Sequence, residues 1–345
     1  MASKIWRVSI IGSGNWGTVV ARIVGHNVKR FSCFDEHVWM YVYPEMFEGE
    51  DLGTQINRTH ENRKYLPGIS LPKNVVANGN IHECVKNADI LVFVIPHQFV
   101  PKICSSMEGS LLKSARGVSF IKGLFCNKDG IELVSQYIGK TLRIPMNTVS
   151  GANVANEVAQ EKFAEATLGF DEKVTSRDEA SRLQQLFDTP YFRVGIVPDI
   201  AGVEIQGALK NIIALAAGFS DGLGMGSNTK AAVIRIGLKE MHKFARMFFE
   251  GIKEETFWES CGIADVITTC YAGRNRRCAE EFVKSKQPWN DIEKRLLNGQ
   301  RLQGTLTSQE VHDFLSARNL TDEFPFFEKV FKISFEGQDP NSIIG

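Results

Sequence analysis

The sequence lacks an excess of charge of either sign. Its 345 residues carry 40 Lys and Arg against 40 Asp and Glu, a formal net charge of +0. No surplus exists to draw nucleic acid or an anionic membrane, so neither is expected as a partner. It also lacks a long hydrophobic run. Ile90–Ile95 and Ile212–Ala217 are the longest and are far too short to span a bilayer, so no membrane span is expected. Cysteine is sparse: seven residues, an odd number, with no Cys-x-x-Cys pair. A disulfide framework and a zinc site are therefore both unexpected, and a reducing compartment fits. In that compartment the sequons at Asn57 and Asn319 carry no glycan. Met1–Lys4 runs straight toward a strand without a signal peptide, and Ser342–Gly345 has no retention or peroxisomal signal. The expectation is a cytoplasmic protein. No His-Glu metal spacing and no Ser-His-Asp arrangement appear, so neither a metal nor a covalent nucleophile is expected. With 43% hydrophobic and 23% charged residues, the composition is that of an ordinary globular protein.

What is present begins with glycine. Trp6–Ile11 reads as a short buried strand, Thr18–Gly25 as a helix, and between them lies Gly12-Ser13-Gly14-Asn15-Trp16-Gly17. Strand, G-x-G-x-x-G and helix in that order form the dinucleotide-binding fingerprint. Gly12 permits the tight turn, Gly14 has no side chain to block a pyrophosphate, and Gly17 allows the helix to pack closely on the strand. The helix N-terminus supplies N–H donors and a partial positive charge.

The first half continues as alternating elements. Val38–Tyr43 reads as a strand, and a polar insertion runs from Pro44 to Asn74. Strand-like stretches follow at Val75–Ala77, Asp89–Ile95, Gly117–Ile121, Thr148–Ser150, Thr167–Gly169 and Phe192–Val197. The apolar run at 89–95 suits a strand covered on both faces. The pattern predicts a Rossmann-type, doubly wound, mainly parallel α/β sheet, with ligands beyond the carboxyl ends of its strands. Those ends carry Gly12, Tyr43, Pro96–Phe99, Lys122 and Asn153. After about Pro198 the pattern turns helical: 201–217, 230–249 capped by Ser227, Asn228 or Thr229, then 256–269, 276–285, 289–297, 307–317 and 324–335. A nucleotide-binding domain over 1–197 and an all-α C-terminal domain over 198–345 are expected.

Lys210 stands out within Gly207-Ala208-Leu209-Lys210-Asn211-Ile212-Ile213-Ala214. A helical lysine commonly snorkels to water. This helix is so apolar that burial is expected, and a buried lysine with a lowered pKa can serve as a base near neutrality. Asp265, in Gly262–Thr269, is either an acid favoured by a helix N-terminus or the partner of a buried cation such as Lys210. Gly273-Arg274-Asn275-Arg276-Arg277 is either a solvated basic helix start or an anion site, since guanidinium grips phosphate bidentately. Lys122, at a strand end, is a surface lysine or an electrophile aimed at a substrate oxygen.

With these residues in view, the sequence resembles the cytosolic eukaryotic type of NAD-dependent glycerol-3-phosphate dehydrogenase. The resemblance rests on GSGNWG (Gly12–Gly17), Pro96–Phe99, Ile121–Gly123, Gly151–Asn153, GALKN (Gly207–Asn211), NTKAAVIR (Asn228–Arg235), DVITTCY (Asp265–Tyr271), GRNR (Gly273–Arg276) and NGQRLQG (Asn298–Gly304). It implies reversible hydride transfer between NADH and dihydroxyacetone phosphate by a homodimer. By position it implies Lys210 as acid/base and Lys122 as the group orienting the carbonyl. Asn153, Asn211, Asp265 and Thr269 become the polar network around the two lysines, and Arg274 with Asn275 the phosphate grip. The NAD contacts would be Gly12, Ser13, Gly14, Asn15, Trp16, Gly17, Tyr43, Phe99, Ala155, Arg274, Arg301 and Gln303. Arg301 stands where the family often has lysine, and Thr305 where it usually has proline, which implies a more mobile loop. A related beta-hydroxyacid or 6-phosphogluconate-type dehydrogenase is the competing enzyme, and an NADH-sensing regulatory protein without turnover the competing class. Both lysines are present, which argues against the sensor.

Overall fold

The computed structural model describes residues 4–127, 130–297 and 299–344. The chain forms two compact units, Met1–Lys122 with Val134–Ile200 and Gly123–Leu133 with Ala201–Gly345.

The first unit is built on one sheet. Its strands are β1 (Trp6–Ile11), β2 (Phe34–Tyr41), β3 (Val75–Asn78), β4 (Ile90–Phe93), β5 (Arg116–Ser119), β6 (Met146–Ser150), β7 (Ala164–Gly169) and β8 (Phe192–Val197). They lie in the order β8-β7-β6-β5-β4-β1-β2-β3. Strands β1 to β6 are mutually parallel; β7 pairs antiparallel to β6, and β8 parallel to β7. The order reverses between β1 and β4, which is where such sheets bind ligands. β4 is fully buried along its length, so it reads as a continuous apolar run. β2 starts earlier than its hydrophobicity suggests. Trp6 pairs with Phe34, and the ladder carries the partly exposed Asp35-Glu36-His37 before ending at Tyr41. Tyr43 therefore follows the strand instead of closing it. The polar insertion is not a plain loop: it contains the helix Leu52–Thr59, and Leu52, Ile56, Leu66 and Leu71 join the core beneath the sheet.

The second unit packs around the helix Ile200–Gly222. By length and composition this helix could cross a membrane, which the short apolar runs do not suggest; 89% of its most apolar window is buried inside the protein. Around it stand Ser227–Phe248, Asp265–Ala272, Arg274–Ser285, Trp289–Leu297, Gln303–Ser316 and Pro325–Phe335. Three of these differ from the sequence pattern. The helix at 227 starts from Gly226, without a side-chain cap from Ser227, Asn228 or Thr229. The stretch expected as one helix over 256–269 is broken at Gly262, whose backbone (φ −96°, ψ −106°) is not helical. A Cβ at Gly262 would stand 2.3 Å from the Phe257 carbonyl oxygen, so the break is enforced by close packing. The last-but-one helix begins at Gln303 and not Thr307, which places Thr305 inside it. Thr305 is buried and donates its Oγ1 to the Leu302 carbonyl at 2.8 Å, so the mobile loop expected there is a tied first turn.

An antiparallel hairpin, Leu124–Asn127 with Gly130–Leu133, belongs to the second unit although it interrupts the first in sequence. Leu124, Cys126 and Leu133 enter the second core, and the Cys126 thiol reaches the Glu310 carbonyl at 3.3 Å.

Candidate active site

In the first unit the chain leaves β1 and turns at Gly12 with φ +122°. A Cβ there would stand 2.4 Å from the Val94 carbonyl oxygen, and one at Gly17 would stand 2.4 Å from the Gly12 oxygen. Any side chain at either position would force backbone apart. Gly14 is different: a Cβ on it would meet nothing within 4 Å. It also begins the helix Asn15–Asn27, which has no side-chain cap and no acid in its first turn. Its leading N–H groups have no intrahelical acceptor, so this end of the helix suits an anion.

The loop is propped by a residue the sequence does not advertise. Asn62, fully buried in the polar insertion, donates its Nδ2 to the Ser13 carbonyl at 2.8 Å and to Thr18 Oγ1 at 2.9 Å. Asn15 bonds the Tyr65 carbonyl at 2.8 Å and Asn156 Oδ1 at 2.9 Å. Trp16 packs edge-on against Phe120 and Phe192.

The other strand-end residues of this unit lie at the same edge of the parallel sheet. Lys122, three residues beyond β5, donates to the Gly151 carbonyl at 2.8 Å and to Asn153 Oδ1 at 3.3 Å. Asn153 Nδ2 is buried with no hydrogen-bond partner among the described residues. Tyr43 and Phe99 are exposed, at 58% and 51%. Ala155 opens the short helix Ala155–Ala159. Glu45 accepts from Lys64 and from the Tyr65 hydroxyl at 3.1 Å, and the hydrogen bond that Lys64 donates to Glu45 raises the Lys64 pKa.

In the second unit Lys210 is 6% exposed and forms an ion pair with Asp265 Oδ1. The break at Gly262 makes this possible. It places Asp265 in the first turn of its own short helix, so both sequence readings of this residue hold together. A buried ammonium is tolerable with a carboxylate facing it, and costly otherwise. Thr269 donates its Oγ1 to the Asp265 carbonyl at 2.6 Å. The next residue to Lys210, Asn211, accepts from Asn275 Nδ2 at 2.8 Å, and Asn275 Oδ1 accepts from the Gly304 amide at 2.9 Å. A Cβ at Gly304 would stand 2.9 Å from both the Asn211 carbonyl and Asn275 Oδ1, so only glycine closes this chain.

Arg274 is the first residue of the helix Arg274–Ser285, which starts from Gly273 without a side-chain cap and has no acid in its first turn. Arginines in a first turn oppose the helix dipole. Arg274 is exposed, and its Nη1 meets Gln300 Oε1 at 3.2 Å. Arg301 is exposed, and Gln303 bonds Thr307 Oγ1 at 3.3 Å. Asn298 lies outside the described residues.

Two family models match nearly the whole chain. The NAD-dependent glycerol-3-phosphate dehydrogenase N-terminus matches residues 7–176, and the C-terminus of the same family residues 199–345. The chain belongs to this family. It is an NAD-dependent oxidoreductase with a Rossmann-type unit and a helical one. The dehydrogenase is 49% identical over 345 residues to human cytoplasmic NAD glycerol-3-phosphate dehydrogenase, covering 100% of this chain and 97% of the relative. The rat cytoplasmic enzyme gives the same identity and coverage. Among solved structures, glycerol-3-phosphate dehydrogenase from Saccharomyces cerevisiae matches with a TM-score of 0.94 at 43% identity, covering 99% of this chain and 98% of that one. The Plasmodium falciparum enzyme matches with a TM-score of 0.94 at 42% identity, over 99% and 94%.

Proposed function

We propose that this dehydrogenase transfers hydride reversibly between NADH and dihydroxyacetone phosphate, giving sn-glycerol 3-phosphate, with Lys210 as the acid/base. The buried Lys210–Asp265 ion pair carries the reading. A buried cation facing a carboxylate is expensive to keep and suits proton delivery. The cytoplasmic names of its relatives support a cytoplasmic location, and a homodimer is the assembly we propose. The 1–197 and 198–345 portions would divide the work into NAD binding and substrate handling.

The glycine loop fits the cofactor. Gly14 leaves an open approach, an uncapped helix start faces it, and Asn62 fixes its shape. Gly12–Gly17 would hold the pyrophosphate, Tyr43 the adenine side, and Phe99, Ala155, Arg301 and Gln303 further surfaces. The nicotinamide, when bound, supplies or accepts the hydride.

In reduction the carbonyl oxygen gains negative charge, and Lys210 gives it the Nζ proton. Asp265 keeps that nitrogen oriented and balances its charge, while Thr269 pins the Asp265 backbone. Lys122, aimed by the Gly151 carbonyl and Asn153, adds positive field to the developing oxyanion. In oxidation neutral Lys210 takes the hydroxyl proton. Arg274 grips the phosphate with the helix N-terminus behind it, and Asn275 ties that corner to Asn211.

The phosphate does not react, so its contact contributes binding energy far from the carbonyl. Arg274→Ala is expected to lower kcat/KM for dihydroxyacetone phosphate more than a hundredfold, at least ~3 kcal/mol. Arg274→Lys should recover only part, because the planar fork is lost. Reduction of phosphate-free glycolaldehyde should change far less. Equal losses on both substrates would remove Arg274 from the phosphate site.

A further inference from the structure

Arg274 is exposed, and one hydrogen bond to Gln300 is too little to set its direction; its placement depends on the backbone corner at Gly273. Residues on both sides of that corner meet at one carboxylate, and Arg276 also pairs through Nη2 with Glu280 at 2.9 Å. Asp221 Oδ2, in the last turn of the Lys210 helix, accepts from Lys230 Nζ at 2.7 Å and from Arg276 Nε. Arg276 lies two residues after Arg274. Lys230 in turn sits over the Tyr271 ring at 4.4 Å from its centroid, and Tyr271 lies two residues before Gly273. An acid at a helix C-terminus opposes the dipole, so Asp221 is not there for its own helix.

The surrounding backbone makes the tie stiff. Gly218 and Gly222 flank Asp221 and let the Lys210 and Arg274 helices touch. A Cβ at Gly218 would stand 2.3 Å from the Arg276 carbonyl oxygen, and one at Gly222 would stand 2.8 Å from the Glu280 oxygen. The two helices therefore meet in one register, with Asn211–Asn275 bridging them near the active residues and Asp221–Arg276 clamping them further along. The three side chains are largely shielded, at 9% for Lys230, 16% for Asp221 and 25% for Arg276.

We infer that Asp221 is a positioning residue for phosphate recognition: through Arg276 directly, and through Lys230 and Tyr271, it fixes the Gly273 corner from which Arg274 projects. The inference rests on the reading of Arg274 as the phosphate grip. A displacement of about 1 Å at such a site costs up to about a hundredfold in rate.

The experiment compares kcat/KM for dihydroxyacetone phosphate and for glycolaldehyde in full-length variants, with NADH affinity by fluorescence titration. Asp221→Asn should lower the ratio of the two by about tenfold or more while NADH affinity stays within about twofold. Arg276→Gln should do the same and leaves the Lys230–Asp221 pair intact, so it serves if Asp221→Asn does not fold. Arg276→Lys should restore part of the ratio. Adding Asp221→Asn to Arg274→Ala should lower the ratio no further, because the group through which it acts is gone. If Arg274→Ala lowers the ratio but Asp221→Asn and Arg276→Gln depress both substrates together, or neither, Asp221 is only structural and the inference falls alone. If Arg274→Ala itself leaves the ratio unchanged, the phosphate reading fails and takes the inference with it.

Discussion

The residues around Glu45 bear on cofactor choice at the scale of single charges. The segment Val42–Glu45, just past β2, contains no arginine to meet a 2′-phosphate, and the nearby Lys64 is committed to Glu45. NADH should therefore be preferred to NADPH by at least about tenfold in kcat/KM, or ~1.4 kcal/mol. Parallel assays with the two cofactors check this, and equal efficiency would contradict it. At this scale the sequence is informative where chemistry conflicts with surroundings. Lys210 is conspicuous because its neighbours are apolar, and Asp265 because it is the one acid in Gly262–Thr269. Asn62 has no such contrast. It sits among polar residues, and only the folded insertion carries it beneath Ser13 and Thr18.

Whole elements explain why that insertion matters. The stretch from Pro44 to Asn74 reads as polar, yet its helix and four leucine and isoleucine side chains dock on the sheet and carry Asn62 to the glycine loop. Asn62→Ala removes three hydrogen bonds, the third accepted by Oδ1 from the Tyr65 amide at 3.2 Å, and leaves the Ser13 carbonyl without that donor. A loss of about 1–3 kcal/mol in unfolding free energy is expected, together with weaker NADH binding. Denaturant unfolding and NADH titration measure the two, and a variant with parental NADH affinity would detach Asn62 from the cofactor loop. The parallel sheet is legible because β4 is apolar and buried along its whole length. The break at Gly262 is not legible: it depends on the Phe257 carbonyl lying where a side chain would be.

Across the molecule, the chain passes between its two units after Lys122, Leu133 and Ile200. The hairpin between the first two crossings escapes sequence reading because its strands are only four residues each and the sequence between them is polar. Its partner helix, Gln303–Ser316, carries Glu310, whose carboxyl is pushed up to about 7 by burial, with Asp313 adding to the shift. The folded form thus holds this proton more tightly than the unfolded chain, whose carboxyl titrates near 4.5. Stability from this group is greatest below the unfolded value, declines as pH rises through that window, and levels off above about 7. Glu310→Gln should flatten this component of the slope and unfold at higher denaturant than the parent above neutrality. An unchanged slope would show that Glu310 does not contribute it.

The central claim is that Lys210, held by Asp265, moves the proton while hydride passes between NADH and a phosphorylated ketone. The most direct measurement follows NADH absorbance after dihydroxyacetone phosphate is added to the parent enzyme and to Lys210→Ala, with NADH binding measured separately. The parent should consume NADH steadily. The variant should show a kcat lower by roughly 10²–10⁴, with near-normal NADH affinity. A parent that consumes no NADH, or a variant that keeps most of its kcat, would contradict the claim.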